Sequence, residues 1–319
     1  LGDNFTHRNH YIPQRYQQGF ANGEGKVWLF DRKTLEFRDG APVNIGVQRD
    51  FYTTVNADGV PNDSVEKLFA MLEGEVWPII DNLDRHGESV TPDGRIYLSL
   101  FVALMRTRTP VFDQISNNTT DVVFKWIAKA RSPSPEAIAE QYAKATGKAI
   151  DDDQAQEIFN AIRDNRYEIR TPRQNTIKTM LGIAIALGEA IIAMDWTIYR
   201  TASDHTFVTS DNPFIVVPSP GTDPTLSGTG PLSPGATCLI PLSKRTLLTT
   251  RKDGGGPFRC VNANRDFVRF ANYCVATDCD RFLIARDEPL LRKLVKATKV
   301  DQWQNSFMPS VISPPASSG

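Results

Sequence analysis

Met180-Leu181-Gly182-Ile183-Ala184-Ile185-Ala186-Leu187-Gly188-Glu189-Ala190-Ile191-Ile192-Ala193-Met194-Asp195-Trp196-Thr197-Ile198-Tyr199-Arg200 holds the change of character that decides the fold. Up to Met194 the residues are mostly unbranched or small apolar ones with the length of a helix; from Trp196 aromatic and β-branched residues take over, as on a pleated surface. Gly182, Gly188 and Glu189 interrupt the apolar run and Asp195 closes it, short of a membrane span. The run is therefore expected to be the most buried helix of a soluble protein, from about Pro172 to Met194.

Upstream of this point the pattern is mainly helical. Val65, Leu68, Phe69, Leu72, Val76, Ile79, Ile80 and Leu83 recur at helical spacing, with Asp63 and Glu66 in capping-box positions. This predicts a helix over 63 to 84, kinked at Pro78. A second core helix is expected over 93 to 109, ended by Pro110. More polar helices follow at 113 to 131, 134 to 146 and 152 to 165. Before them all, Lys26-Val27-Trp28-Leu29-Phe30 and the turns at Asp39-Gly40 and Asp58-Gly59 predict a hairpin or meander.

Downstream the short β-prone runs are 196 to 200, 206 to 209, 214 to 217, 237 to 241, 246 to 251 and 281 to 285, with one helix at 262 to 275. Helices then strands, rather than alternation, imply an α+β fold with central helices packed on a mainly antiparallel sheet. One interlocked domain over residues 1 to 308 is expected, followed by a low-complexity, disordered tail at 309 to 319. The Pro/Gly/Ser/Thr-rich loop from Pro218 to Gly235 is long enough to be a lid beside a site.

With 319 residues, 40% hydrophobic and 23% charged, the chain buries a core without staples, and disordered or fibrous classes are excluded. The formal charge of -1 gives no whole-molecule attraction for nucleic acid or an anionic membrane. Cys238, Cys260, Cys274 and Cys279 form no CxxC pair, and the four histidines add no metal-finger spacing. A reduced, cytoplasmic location is expected, with no membrane partner and the oligomeric state open; the absence of an initial Met leaves the true start open.

Two short motifs stand above this background: His10-Tyr11-Ile12-Pro13-Gln14-Arg15-Tyr16-Gln17-Gln18-Gly19-Phe20 and Phe207-Val208-Thr209-Ser210-Asp211-Asn212-Pro213. With Arg106-Thr107-Arg108-Thr109-Pro110 and Trp196, they resemble the microbial domain-of-unknown-function family 4238, whose marks are a His-x-x-Pro-x-x-x-Leu-x-x-Phe element and a Ser-Asp-Asn-Pro after a strand. His10, Pro13 and Phe20 fall on the first mark, while Gln17 stands where an aliphatic residue is usual, a departure that concerns packing. The resemblance extends over about residues 7 to 285 and brings no reaction with it.

The chemistry is therefore argued from the residues. His10 is a general base, a metal ligand or a buried hydrogen-bond partner. Asp211 and Asn212 sit at a strand end, either as site residues or as an Asx-turn capping its own local amides. Arg106 and Glu189 are charges on apolar helices: they pair with each other in the core, or Arg106 is an anion clamp. Glu66 and Glu73 share a helix stripe; Glu66 fits the cap, which leaves Glu73 as the site carboxylate. Asp151-Asp152-Asp153 suits a helix start better than a cation loop, and the basic run 163 to 178 suits a solvated face.

The expected site is thus His10 as acid or base, Asp211 as base or metal ligand, Asn212 as orienter, Arg106 as clamp and Glu73 as second carboxylate. The two motifs, from opposite ends of the chain, are expected to meet. The corresponding function is a hydrolase of phosphodiester or nucleotide substrates acting through an activated water, with a divalent metal as a candidate cofactor and a small molecule or nucleic acid as substrate. The rival is a noncatalytic binding or sensor protein in which the same polar residues are structural.

Overall fold

The computed structural model describes residues 7–55, 58, 60–87, 89–201, 205–222, 229–252 and 258–302. The middle of the expected 218–235 lid and the 309–319 tail lie outside the described residues. The chain divides into two compact units: Leu1–Val111 with Met180–Gly319, and Phe112–Thr179. The larger unit is built from both chain ends and the smaller one from the middle.

In the larger unit the N-terminal strand β1 (Arg8–His10) pairs antiparallel with β4 (Val47–Arg49), enclosing helix α1 (Gln14–Gln18) and the hairpin β2 (Val27–Asp31) and β3 (Glu36–Gly40). A small ribbon, β5 (Thr54–Val55) with β6 (Pro61–Asn62), leads into α2 (Ser64–Arg85), which carries Pro78 inside it. Asp63 precedes α2 without a side-chain cap bond. Asn62 instead accepts from the Ser64 amide at 3.2 Å, and Asp63 pairs with Lys67. The capping box expected of Asp63 and Glu66 is therefore not made. Helix α3 (Pro92–Thr107) starts at Thr91, whose hydroxyl accepts from the Gly94 amide, and it is buried along most of its length.

The smaller unit holds most of α4 (Pro110–Arg131), α5 (Pro135–Thr146), α6 (Asp152–Arg163) and the first turns of α7 (Arg173–Ile192). Asp151 caps α6 in a complete capping box with Gln154. The basic run is locally neutralised: Arg163 and Arg166 face Asp164, Arg170 faces Glu168, and Arg173 pairs with Asp113.

Helix α7 corrects the opening expectation. Met180, Ala184, Leu187 and Ile191 are buried, but Ile183, Ile185 and Glu189 are exposed, so α3 is the more buried helix. Its apolar residues extend beyond one stripe, which is why the sequence overstates its burial. By length and composition alone α7 also passes for a membrane span, with mean hydropathy 1.4 and 39% of that window buried. Gly188 is where α7 touches α3: a Cβ there would stand 3.3 Å from the Leu100 Cα. Arg95 of α3 then holds the end of α7, donating to the Ile192 and Met194 carbonyls while stacking 4.6 Å over the Trp196 ring.

The β half forms two sheets. One has the order β12-β7-β11-β10-β9: β7 (Asp195–Arg200), β9 (Ile215–Val217), β10 (Thr237–Pro241), β11 (Thr246–Arg251) and β12 (Phe258–Asn262), with only β12 parallel to its neighbour. The other, β3-β2-β13-β8, joins the N-terminal hairpin to β13 (Phe282–Ala285) and β8 (Thr209–Ser210), all antiparallel. The strand expected at 206–209 is shorter because the Val208 amide goes to the Asn272 side chain at 2.9 Å rather than to a ladder partner. Helices α8 (Arg265–Thr277) and α9 (Glu288–Thr298) contribute Val268, Cys274, Val275, Leu291 and Val295 to a core shared with Phe30, Leu247 and Leu283.

Candidate functional site

Strand β1 delivers His10 to an open cleft of about 400 Å³ whose walls are α1, α2 and the end of α3. The α2 wall follows from helical spacing: Glu66, Phe69, Ala70 and Glu73 fall at i, i+3, i+4 and i+7 and all line the cleft. Pro13, Gln14, Arg15 and Gln18 line it from the other side, and Arg108, the C-cap of α3, forms its floor.

Arg108 is the organising residue. It is 3% exposed, yet donates to Glu73 Oε1 at 3.1 Å and to the His10 carbonyl at 2.7 Å, and its guanidinium lies 4.6 Å from the Phe69 ring centroid. The Tyr52 hydroxyl donates back to the Arg108 carbonyl at 2.6 Å. A charge pair with a buried guanidinium is present, but it joins Arg108 at the end of α3 to Glu73 of α2 rather than Arg106 to Glu189 of α7. Arg106 is half-buried and Glu189 is solvent-exposed, so those two form no buried pair.

Two groups of the cleft, His10 and Glu66, are pushed toward neutrality. Burial lowers the proton affinity of His10; its bond to the Val43 carbonyl at 3.1 Å opposes this, and Arg8 and Arg108 add to the lowering. Burial raises that of Glu66, against the nearby Arg108 and with the nearby Glu73. Among the described residues Glu66 Oε1 is buried without a hydrogen-bond partner. Glu66 fits a helix cap in the sequence, which hides its place in the cleft, although its seven-residue spacing from Glu73 on one helix stripe is the signal for it.

Asp211, Asn212 and Arg106 do not line this cleft. Asp211, 2% exposed, accepts three backbone N–H bonds: Asp280 at 3.0 Å on Oδ1, Arg281 at 2.8 Å and Phe282 at 3.0 Å on Oδ2. It anchors the start of β13, seventy residues away, rather than the local Asx-turn considered from sequence. Asn212 donates to the Asp278 carbonyl at 3.0 Å and carboxylate at 2.9 Å, and Arg106 approaches Asn212 Oδ1 and the Phe214 carbonyl at 3.5 Å. Three of the acceptor sites of Asp211 are thus taken by amides, and neither Asp211 nor Arg106 lines the cleft that holds His10 and Glu73. Burial and Asp280 push Asp211 up to about 7 despite its three amide donors, and burial pushes Asp278 up to about 6, with Arg106 opposing.

The two motifs do meet, through other residues. The Tyr16 hydroxyl shares a 2.6 Å hydrogen bond with Thr209 and donates to the Pro241 carbonyl at 2.7 Å, and Tyr11 senses the Asp211 charge. His10 itself turns to Val43 and the cleft. Gln17 donates to the Ile12 and Ile45 carbonyls at 3.0 and 2.9 Å, so the polar residue in the aliphatic position ties the first motif to the loop before β4. Asp31 and Arg281 close the same region with a bidentate pair, 2.8 Å at its shortest, joining the hairpin to β13. Among the described residues, no three His, Cys, Asp or Glu side chains come together as a metal-ligand set.

No curated protein and no solved structure matches the chain. A family model does: that of the proteins of unknown function DUF4238 matches residues 8–289, which takes in β1 with His10, the α2 carboxylates, Arg108 and the Asp211 anchor. Matched over most of its length, the chain belongs to the DUF4238 family of proteins of unknown function.

Proposed function

We propose that the protein is a hydrolase whose water-activating cleft is built from His10, Glu66, Glu73 and Arg108. The observation that carries this reading is the pair His10 and Glu66: in one open cleft, burial lowers the proton affinity of the imidazole and raises that of the carboxyl. Groups displaced toward each other in this way suit a neutral base and a protonated acid working on opposite sides of a scissile bond. His10 takes the proton of the attacking water, and Glu66 protonates the leaving group. Arg108 positions His10 through its carbonyl and holds Glu73 in place.

The cleft charge bears on the substrate. Both cations of the cleft are already paired, Arg108 with Glu73 and Arg15 with Asp81 at 3.1 Å, and with Glu66 protonated Glu73 is the remaining negative charge. Neither cation is left unpaired for a phosphodiester or nucleotide, so an uncharged substrate with a glycosidic, ester or amide bond fits better. The test is a parallel screen of nitrophenyl glycosides, esters, peptide amides, nucleotides and nucleic acids, with and without magnesium, manganese or zinc, using wild type, Glu66→Gln and His10→Ala. Turnover by wild type alone supports the reading. Wild type inert on all of them turns it to the noncatalytic binding protein, which is favoured by one observation: the Glu73–Arg108 pair is already closed within the protein.

A further inference from the structure

The smaller unit, Phe112–Thr179, has its apolar residues in the wrong places for a body that stands alone. Its buried apolar side chains, among the described residues, are Ile138, Ala155 and Ile177. Against these, helix α4 leaves Trp126 71%, Val122 67%, Val123 46% and Ile115 40% exposed. Small units are marginal because they bury too little surface, and a contiguous apolar patch of several hundred Å² on such a unit marks an interaction site.

The pattern of exposure is ordered. Ile115, Thr119, Val122 and Trp126 are spaced by four, three and four residues, so they run along one side of α4, with Val123 on its edge; all are exposed. This is the spacing of a helix seam that packs against another helix. Phe124, also exposed, projects from the opposite side and does not belong to the seam.

We infer that this seam packs antiparallel against the same seam of a second copy of the chain, forming an isologous dimer. Three features favour a second copy in this direction. The seam positions Ile115, Thr119, Val122 and Trp126 are uncharged, and the charges between them, Asp121 and Lys125, are paired with each other at 2.7 Å, so two copies meet without unpaired like charges. The exposed Lys129, three residues past Trp126 and seven past Val122, continues the seam at one end of α4; a parallel pair would set it against its own copy, whereas an antiparallel pair sends the two lysines to opposite ends. The area also fits: Trp126, an aromatic side chain of a size that buries about 150–250 Å², is 71% open, and with the open parts of Ile115, Thr119, Val122 and Val123 the seam comes to roughly 500 Å² per copy. The dimer would thus bury on the order of 1,000 Å² in total, near the lower bound for a specific interface, which suits a dimer that dissociates on dilution.

The experiment is sedimentation velocity of the full chain from about 0.5 to 100 µM, a range that spans the affinities of small interfaces. Wild type should pass from monomer to dimer, Val122→Lys should remain monomeric across the range, and Phe124→Ser should behave as wild type. Direction is read by a spin label on Ile115→Cys in a Cys260→Ser background, since Cys260 is an exposed free thiol. In the antiparallel pair the two labelled sites are offset by about 16 Å along the helices, whereas in a parallel pair they would be adjacent. A wild type that stays monomeric at 100 µM, a dimer indifferent to Val122→Lys, or labels within about 10 Å of each other each overturns the inference. A monomer that instead binds lipid vesicles through the seam overturns it as well.

Discussion

Replacing Glu73 by Gln tests the organisation of the cleft directly. The substitution keeps size and one acceptor oxygen, but leaves the guanidinium of Arg108, 3% exposed, without its counter-charge. Two unit charges 3.1 Å apart attract by about 5 kcal/mol at an effective dielectric of about 20. Glu73 is 21% exposed, so water screens part of this, and Glu66 remains nearby as a second negative charge on Arg108. About half is expected to be lost, roughly 2–3 kcal/mol, toward the low end of what breaking a buried pair costs. The assay is chemical denaturation at pH 7.5, in a double-mutant cycle with Arg108→Met. The pair of substitutions together should cost less than the sum of the two alone, because the second removes the charge that the first stranded. The same variant has a second readout at the site: Glu73 raises the proton affinity of His10, so Glu73→Gln should shift the imidazole titration, followed by NMR, further down. A loss below about 0.5 kcal/mol with no coupling to Arg108 would refute the pair as the organiser of the cleft.

Other outcomes follow from the two halves of the molecule. Asp211→Ala leaves the amides of Asp280, Arg281 and Phe282 without their acceptor and should cost about 2–4 kcal/mol, read as a lower denaturation midpoint; no change would sink the anchor. Asp211 is displaced upward from 3.8 to about 7 in the folded chain, so the folded state holds a proton that the unfolded state has released over that interval. Its contribution to stability therefore falls as pH rises from about 4 to about 7, and thermal melts of wild type against Asp211→Ala should show the pH dependence flattened in the variant. If His10 acts as base and Glu66 as acid, one lowered from 6.5 and the other raised from 4.5, kcat/KM should peak between those values and lose its alkaline limb in Glu66→Gln. A profile centred above pH 8 would contradict the assignment.

Long periodic segments were legible in the sequence because their signal is repeated: α2, α3, α5, and strands β10 and β11 lie where apolar spacing and turn residues put them. The elements it missed are short or depend on distant partners. Strand β1 exists because Arg8–His10 finds Val47–Arg49 some forty residues later, and β12 because Phe258–Asn262 adds parallel to β7. Neither pairing has a local trace. Helix α9 is different: Asp287 capping the Leu290 amide, Pro289 in the first turn, and Leu291, Leu294 and Val295 on the buried side make a complete local signature that the reading passed over.

The site was half legible for the same reason. Arg106 and Arg108 are two residues apart at the end of one helix, and a helix turns them to opposite sides. One faces Asn212 and the β13 anchor, the other faces Glu73 and the His10 carbonyl. From composition alone both are charges on an apolar helix; only Arg108 lines the cleft with His10 and Glu73. The difference turns on residues that lie on Arg108's side: Tyr52, Phe69 and Glu73 are supplied by the segment before α2 and by α2 itself, and they bury the guanidinium only once the two helices have packed. Asp211 shows the converse. A carboxylate at a strand end invites a catalytic role, but three amides from Asp280 to Phe282 bond to it, and nothing near residue 211 in the chain announces them. The two motifs thus divide the work: the one bearing Asp211 locks the C-terminal strand to the core, and the one bearing His10 uses the frame so fixed to hold an imidazole beside the carboxylates of α2.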